Sequence, residues 1–137
     1  MADLKEVSVG DSMPERVVAK VVVSDFVKYA GAGGDFNPIH HDPSFAALAG
    51  QDSVFAMGMW QAGVVSVAAA EWLGPENVRR FKCRFRERVW PGDKLVCSGE
   101  VVAIREDAGE KVADLELKVS RGEGQIAVEA EATFAVS

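Results

Sequence analysis

An aspartate and a histidine, Asp35 and His40, stand on either side of an Asn-Pro turn in the stretch "GGDFNPIHHD", residues 33–42. A carboxylate can accept a proton from water, and an imidazole can give or take one near neutral pH. Held at a constant separation, the two can share one water molecule and work as a general acid/base pair, a role worth roughly 10² to 10⁴ in rate per positioned group. The turn supplies the stiffness. Pro38 locks its own φ and drives Asn37 toward extended backbone, so the corner between the two side chains is rigid. Gly33 and Gly34 just upstream let the backbone come close to a ligand. A solvated loop is the competing reading, because Asn-Pro turns are common and an exposed histidine carries no message by itself. Of the neighbours, His41 reads as solvent-exposed and Asp42 as a helix cap.

Helices should hold that loop at both ends. Residues 15–22, "ERVVAKVV", suit a short strand, after which Ser24 can cap a helix that opens "DFVKYA" and ends in the glycines of "GAGG". Beyond the loop, Asp42 is a good N-cap with Pro43 at the first helical position, and "SFAALAG" runs to Gly50, a suitable C′ residue. A third and longer helix spans about Gly58 to Leu73 and is stopped by Gly74-Pro75. Ala62, Gly63, Ser66, Ala69 and Ala70 recur on it at three- and four-residue spacings, so one face carries very small side chains. Something must approach that backbone closely, whether a curved sheet, a substrate chain, or both.

From Arg79 onward the period changes to that of strands. Ala113, Leu115, Leu117 and Val119 oppose Asp114, Glu116 and Lys118, and Val128, Ala130, Ala132, Phe134 and Val136 oppose Glu129, Glu131 and Thr133. Turn signals at 91–93, 106–110 and 121–124 separate the strands, which are about ten residues long and fit an antiparallel meander. The fold class is therefore α+β, one domain over residues 1–137, with helices gathered on one face of an antiparallel sheet.

Composition narrows the function. The net charge of −6 argues against a nucleic-acid partner, whose phosphates call for basic residues. The longest apolar run, residues 62–70, is far short of a membrane span, and the N-terminus lacks the pattern of a signal peptide, so a cytoplasmic location is expected. Cys83 and Cys97 have no spaced partners and read as reduced packing residues rather than metal ligands or a disulfide. No phosphate-binding glycine loop and no nucleophile with a base beside it stands out, so no cofactor is called for.

The stretch "YAGAGGDFNPIHHDPSFAALAG" resembles the signature of the MaoC-like dehydratases, the R-specific enoyl-CoA hydratases and related 3-hydroxyacyl-thioester dehydratases. The likeness continues through "VFAMGMWQAG" and "FRERVWPGDKLVCSGEVV" and covers nearly the whole chain. It implies a hot-dog fold, a long central helix wrapped by an antiparallel sheet of about five strands, usually paired as a homodimer or with another hot-dog subunit. It implies further that Asp35 and His40 activate a water across the double bond of a trans-2-enoyl thioester of coenzyme A or acyl-carrier protein, giving an (R)-3-hydroxyacyl thioester, or the reverse. The family's oxyanion donor is the N–H of the glycine that opens the central helix, here Gly58. Ser66 matches a serine near the substrate in some members, and Asn37 lies within the catalytic turn. Met57 stands where the family usually has His, Gly33 where it often has Ser, and Trp60 where Leu is common, so Met57 and Trp60 are expected to shape the acyl pocket.

A second signal lies in "VRRFKCRFRERV", whose even positions Arg80, Lys82, Arg84, Arg86 and Arg88 are all cationic while Phe81, Cys83 and Phe85 alternate with them. These residues, Arg84 and Arg86 above all, could receive coenzyme A phosphates or an acidic carrier protein. They could equally form a wet outer face neutralised by Glu129 and Glu131. Two other functions remain open. A thioesterase would need a carboxylate near the central helix, and Glu71 is the sole acid within it. A non-catalytic subunit that shapes a partner's acyl tunnel is the other.

Overall fold

The longest helix buries one stripe of apolar side chains. The computed structural model describes residues 3–137 and places helix α3 (Gly58–Leu73) against a five-stranded antiparallel sheet. Ala62, Val65, Ala69 and Leu73 are buried along α3, a stripe narrow enough for the curved sheet to close on the helix. The strands are β1 (Arg16–Val18), β2 (Val78–Phe85), β3 (Leu95–Asp107), β4 (Glu110–Arg121) and β5 (Gln125–Ala135), in the order β1-β3-β4-β5-β2. This is the hot-dog arrangement. Register shifts between Val101 and Ala103 and between Val119 and Ser120 are where extra residues add curvature. At Gly99 a Cβ would overlap the Leu117 side chain, so glycine there lets β3 and β4 pack over the core. The expected alternation holds in β4, with Ala113, Leu115, Leu117 and Val119 all buried.

Two shorter helices carry the loop of interest. Helix α1 (Val23–Gly33) ends at Gly34, whose φ of +76° is the left-handed cap that glycine adopts freely. Helix α2 (Pro43–Leu48) is capped as expected, the Asp42 carboxylate accepting from the Ser44 and Phe45 N–H groups. No helix among the described residues is long and apolar enough to cross a membrane.

Four expectations need correction. The first strand is shorter than residues 15–22, because after Val18 the chain leaves β3 and Val21 exchanges backbone hydrogen bonds with Gly92 and Asp93 at the following turn. Ser24 does not cap α1: the helix starts at Val23, and Asp25 reaches back to accept from the Val22 N–H at 3.1 Å. Thr133 is buried rather than wet, because its register partner is Asp114 and its hydroxyl donates to that carboxylate at 2.8 Å. Strand β2 stops at Phe85, so only Arg80, Lys82 and Arg84 of the cationic series lie within it.

The cysteines differ in their surroundings. Cys97 is fully buried between β-strand neighbours, and burial pushes its thiol up to about 11, whereas Cys83 is half-buried. At pH 8 the native protein is therefore expected to give at most one thiol to an alkylating reagent, with the second appearing only on unfolding. Mass spectrometry of the labelled chain checks this, and rapid double labelling of the folded protein would contradict it.

Candidate active site

The Asn-Pro turn becomes a short 3₁₀ turn, Pro38–His40, that joins α1 to α2. The Asn37 side-chain oxygen accepts from the Ile39 N–H at 3.0 Å, and the Asp35 carboxylate accepts from the Asn37 N–H at 3.2 Å. Asn37 thus holds the corner from inside, as its place beside Pro38 suggests. His40 ends the turn with its side chain buried, while Asp35 stays about half exposed.

The imidazole is fixed from the opposite side. His40 Nδ1–H donates to the Phe55 carbonyl at 2.7 Å, and the Phe55 ring meets the imidazole edge-on with centroids 5.3 Å apart. A proton on Nδ1 leaves the neutral ring's Nε2 with a lone pair. That Nε2 faces an Asp35 carboxylate oxygen at 3.5 Å. A water beside the two acceptors can donate one hydrogen to each, so the pair inferred from spacing is brought together.

Phe55 also links the pair to α3, because it stands just before the helix-opening Gly58. Met57 precedes the helix, and among the described residues no acceptor meets the Gly58 N–H, as expected for the first turn. This group can therefore serve developing negative charge, aided by the helix dipole. The Phe85 ring lies over Gly58 so closely that a Cβ there would sit 3.0 Å from it. A side chain at this position would push the Phe85 ring back by a few tenths of an ångström.

The other candidates separate. Ser66 lines a hollow of about 300 Å³ with Val67, Ala70, Val78, Phe81 and Phe134, while its hydroxyl donates to the Gly63 carbonyl at 3.0 Å. Trp60 packs edge-on against the buried Phe26, and Met57 is 3% exposed within the main apolar cluster. Both side chains belong to the packing that supports the helix start. Arg84 lies on the outer face of the sheet in a groove shared with Lys82, Lys118, Glu116, Glu129 and Glu131. Arg86 is paired with Glu129 at 2.8 Å and Arg80 with Glu131 at 3.7 Å. The acidic strand β5 thus answers the basic one, and the charged face does not converge on Asp35 and His40. Glu71, at the far end of α3, is paired with Arg16. Phe55 carries no signal in the sequence, because its contribution is a backbone carbonyl, which any residue type offers.

The family model described as the MaoC like domain matches residues 5–122. The chain belongs to the MaoC-like family. Among its MaoC-like relatives, the (R)-specific enoyl-CoA hydratase of Aeromonas caviae is 29% identical over 119 residues, covering 85% of this chain and 87% of that protein. The solved structure of the (R)-hydratase from A. caviae involved in PHA biosynthesis superposes with a TM-score of 0.84 at 26% identity, over 96% of this chain and 98% of the other. A 72-residue stretch, half of this chain, is 40% identical to the fatty acid synthase beta subunit pkiC of Emericella nidulans, and spans only 4% of that much longer protein.

Proposed function

We propose that this MaoC-like chain is a hydro-lyase that interconverts trans-2-enoyl and (R)-3-hydroxyacyl thioesters, carried on coenzyme A or acyl-carrier protein. The observation that carries the reading is the 3.5 Å approach of His40 Nε2 to Asp35, with the imidazole locked by the Phe55 carbonyl. In the hydration direction, a water held by both side chains bonds through oxygen to C3 of the enoyl group while Asp35 accepts its proton. His40 Nε2 takes the water's other hydrogen bond and sets the direction of attack. Charge that builds on the thioester oxygen meets the Gly58 N–H at the start of α3, and the proton taken up by Asp35 passes to C2, which completes the addition and restores the carboxylate. Water is added and no electrons are exchanged.

The direct test follows the ultraviolet absorbance of trans-2-enoyl-CoA substrates of several acyl lengths with the purified protein. Absorbance should fall without release of free thiol, and chiral analysis should return the (R)-3-hydroxyacyl product. Thiol release instead would make the chain a thioesterase and overturn the assignment.

We further propose that the working unit is a pair of hot-dog subunits. Among the described residues strand β2 pairs only with β5, so its other edge carries open backbone groups, and Val78 and Phe85 on it are substantially exposed. Met59 and Val67 add exposed apolar surface on α3. A long open edge flanked by apolar side chains is a template for a second strand. Sedimentation equilibrium should give twice the 14.7 kDa chain mass; a monomer that is fully active would refute the pairing.

A further inference from the structure

His40 is only as well placed as Phe55, which accepts its Nδ1–H and packs against its ring. Phe55 lies in the irregular segment between α2 and α3, where no ladder of hydrogen bonds holds the backbone. At its α2 end the segment is tied by the Gln51 N–H donating to the Ala46 carbonyl at 2.9 Å, and beside Phe55 by the Ala56 N–H donating to the Val89 carbonyl at 2.9 Å. The Trp90 ring meets one edge of Phe55 with centroids 5.7 Å apart. The face of the Phe55 ring is covered by Arg88, whose guanidinium carbon lies 4.7 Å from the centroid.

The same guanidinium donates through Nη1 to the Gln51 side-chain oxygen at 2.7 Å. Arg88 therefore bridges the segment from Gln51 to Phe55, the residue that holds His40. Among the described residues no carboxylate forms an ion pair with Arg88. A guanidinium that lies over an aromatic face while donating a hydrogen bond elsewhere makes use of donors that a lysine ammonium does not offer in the same arrangement. Strict alternation would keep Arg88 on the same face as Arg84. The end of β2 at Phe85 frees it from that pattern and turns it toward the site.

We propose that Arg88 is a positioning residue for His40, clamping Phe55 so that its carbonyl keeps the imidazole in the Nδ1–H form with Nε2 open toward Asp35. The kinetic consequence rests on the hydratase reading; the structural consequence does not. If Phe55 drifts, the competing tautomer becomes accessible, because an Nε2–H could donate to the Asp35 carboxylate. That tautomer fills with a proton the position needed to accept from water, so turnover falls while thioester binding is untouched.

The test compares wild type with Arg88→Met, which keeps the apolar stem, and Arg88→Lys, which keeps the charge. The chain has two histidines, so ring ¹⁵N shifts, recorded at a pH that keeps imidazoles neutral, resolve the tautomer of each. The expected result is a single Nδ1–H form for wild-type His40 and a tautomer mixture in Arg88→Met. With it, kcat on an enoyl-CoA should drop about tenfold, part of the range a misplaced acid/base group can lose. KM should stay within about twofold, and Arg88→Lys should recover part of the loss. Unchanged His40 shifts in Arg88→Met would overturn the proposal, as would a raised KM with kcat intact, which would make Arg88 a substrate contact. If the wild type turns over no enoyl thioester, the ring shifts still decide the positioning role and only the reaction assignment fails.

Discussion

Asp35→Asn lowers kcat for hydration of a trans-2-enoyl thioester by about 10² to 10⁴, the range for loss of one positioned acid/base group, and leaves KM nearly unchanged. The substitution keeps the shape of the side chain and an oxygen able to accept from the Asn37 N–H, but the amide no longer takes a proton from water. Since Asp35 is about half exposed, no buried charge is removed and the fold should persist. His40→Ala is expected to cost as much in rate, and it also removes the hydrogen bond to Phe55 and the edge-on ring contact. His40→Gln keeps a donor for that carbonyl and so separates chemistry from support. Because both residues act on one water, the double variant should be little slower than either single one. Absorbance assays paired with circular dichroism read all four proteins. Near wild-type turnover by a folded Asp35→Asn protein would remove Asp35 from the mechanism.

Phe134→Ala is expected to lower stability by about 3–5 kcal/mol, the usual cost of emptying a buried phenylalanine site. Phe134 is 2% exposed on β5, within the cluster shared by Leu115, Val65 and Leu73. Strands on both sides hold the surrounding backbone, through register partners Ala113 in β4 and Val78 in β2, so the gap cannot readily collapse. Urea denaturation measures the loss; a change below about 1 kcal/mol would mean that the site repacks. The same ring walls the hollow beside Ser66 and Ala70. Opening that wall should shift preference toward bulkier acyl groups if the hollow receives the acyl chain, which the enoyl-CoA length series reads in parallel.

Local chemistry made much of this molecule legible. Helix α3 begins at Gly58 and ends at Leu73 as its flanking residues indicate, because a glycine followed by proline stops a helix wherever the helix lies. The turn at Asn37-Pro38 and the cap at Asp42 depend on side chains reaching backbone two or three residues away, so they too can be read along the chain. Errors appeared where a distant partner overrode the local preference. Thr133 looks wet until Asp114 is placed beside it, whereas the cap expected of Ser24 goes to a local rival, the neighbouring Asp25. The five cations look like one surface until β2 ends and its neighbours are known.

By itself, then, the sequence determined the α+β class, the strand alternation, the rigid turn carrying Asp35 and His40, and, through its motif, the family. Each follows from interactions within a few residues or from a repeating period. Only the tertiary structure decided that Phe55 orients His40, that Phe85 covers Gly58, and that Arg88 leaves the charged face to stack beside the site. These contacts join residues from different elements through a carbonyl, a missing Cβ and a ring face. None of them is specified by residue type alone; each exists only once the sheet has closed on the helix.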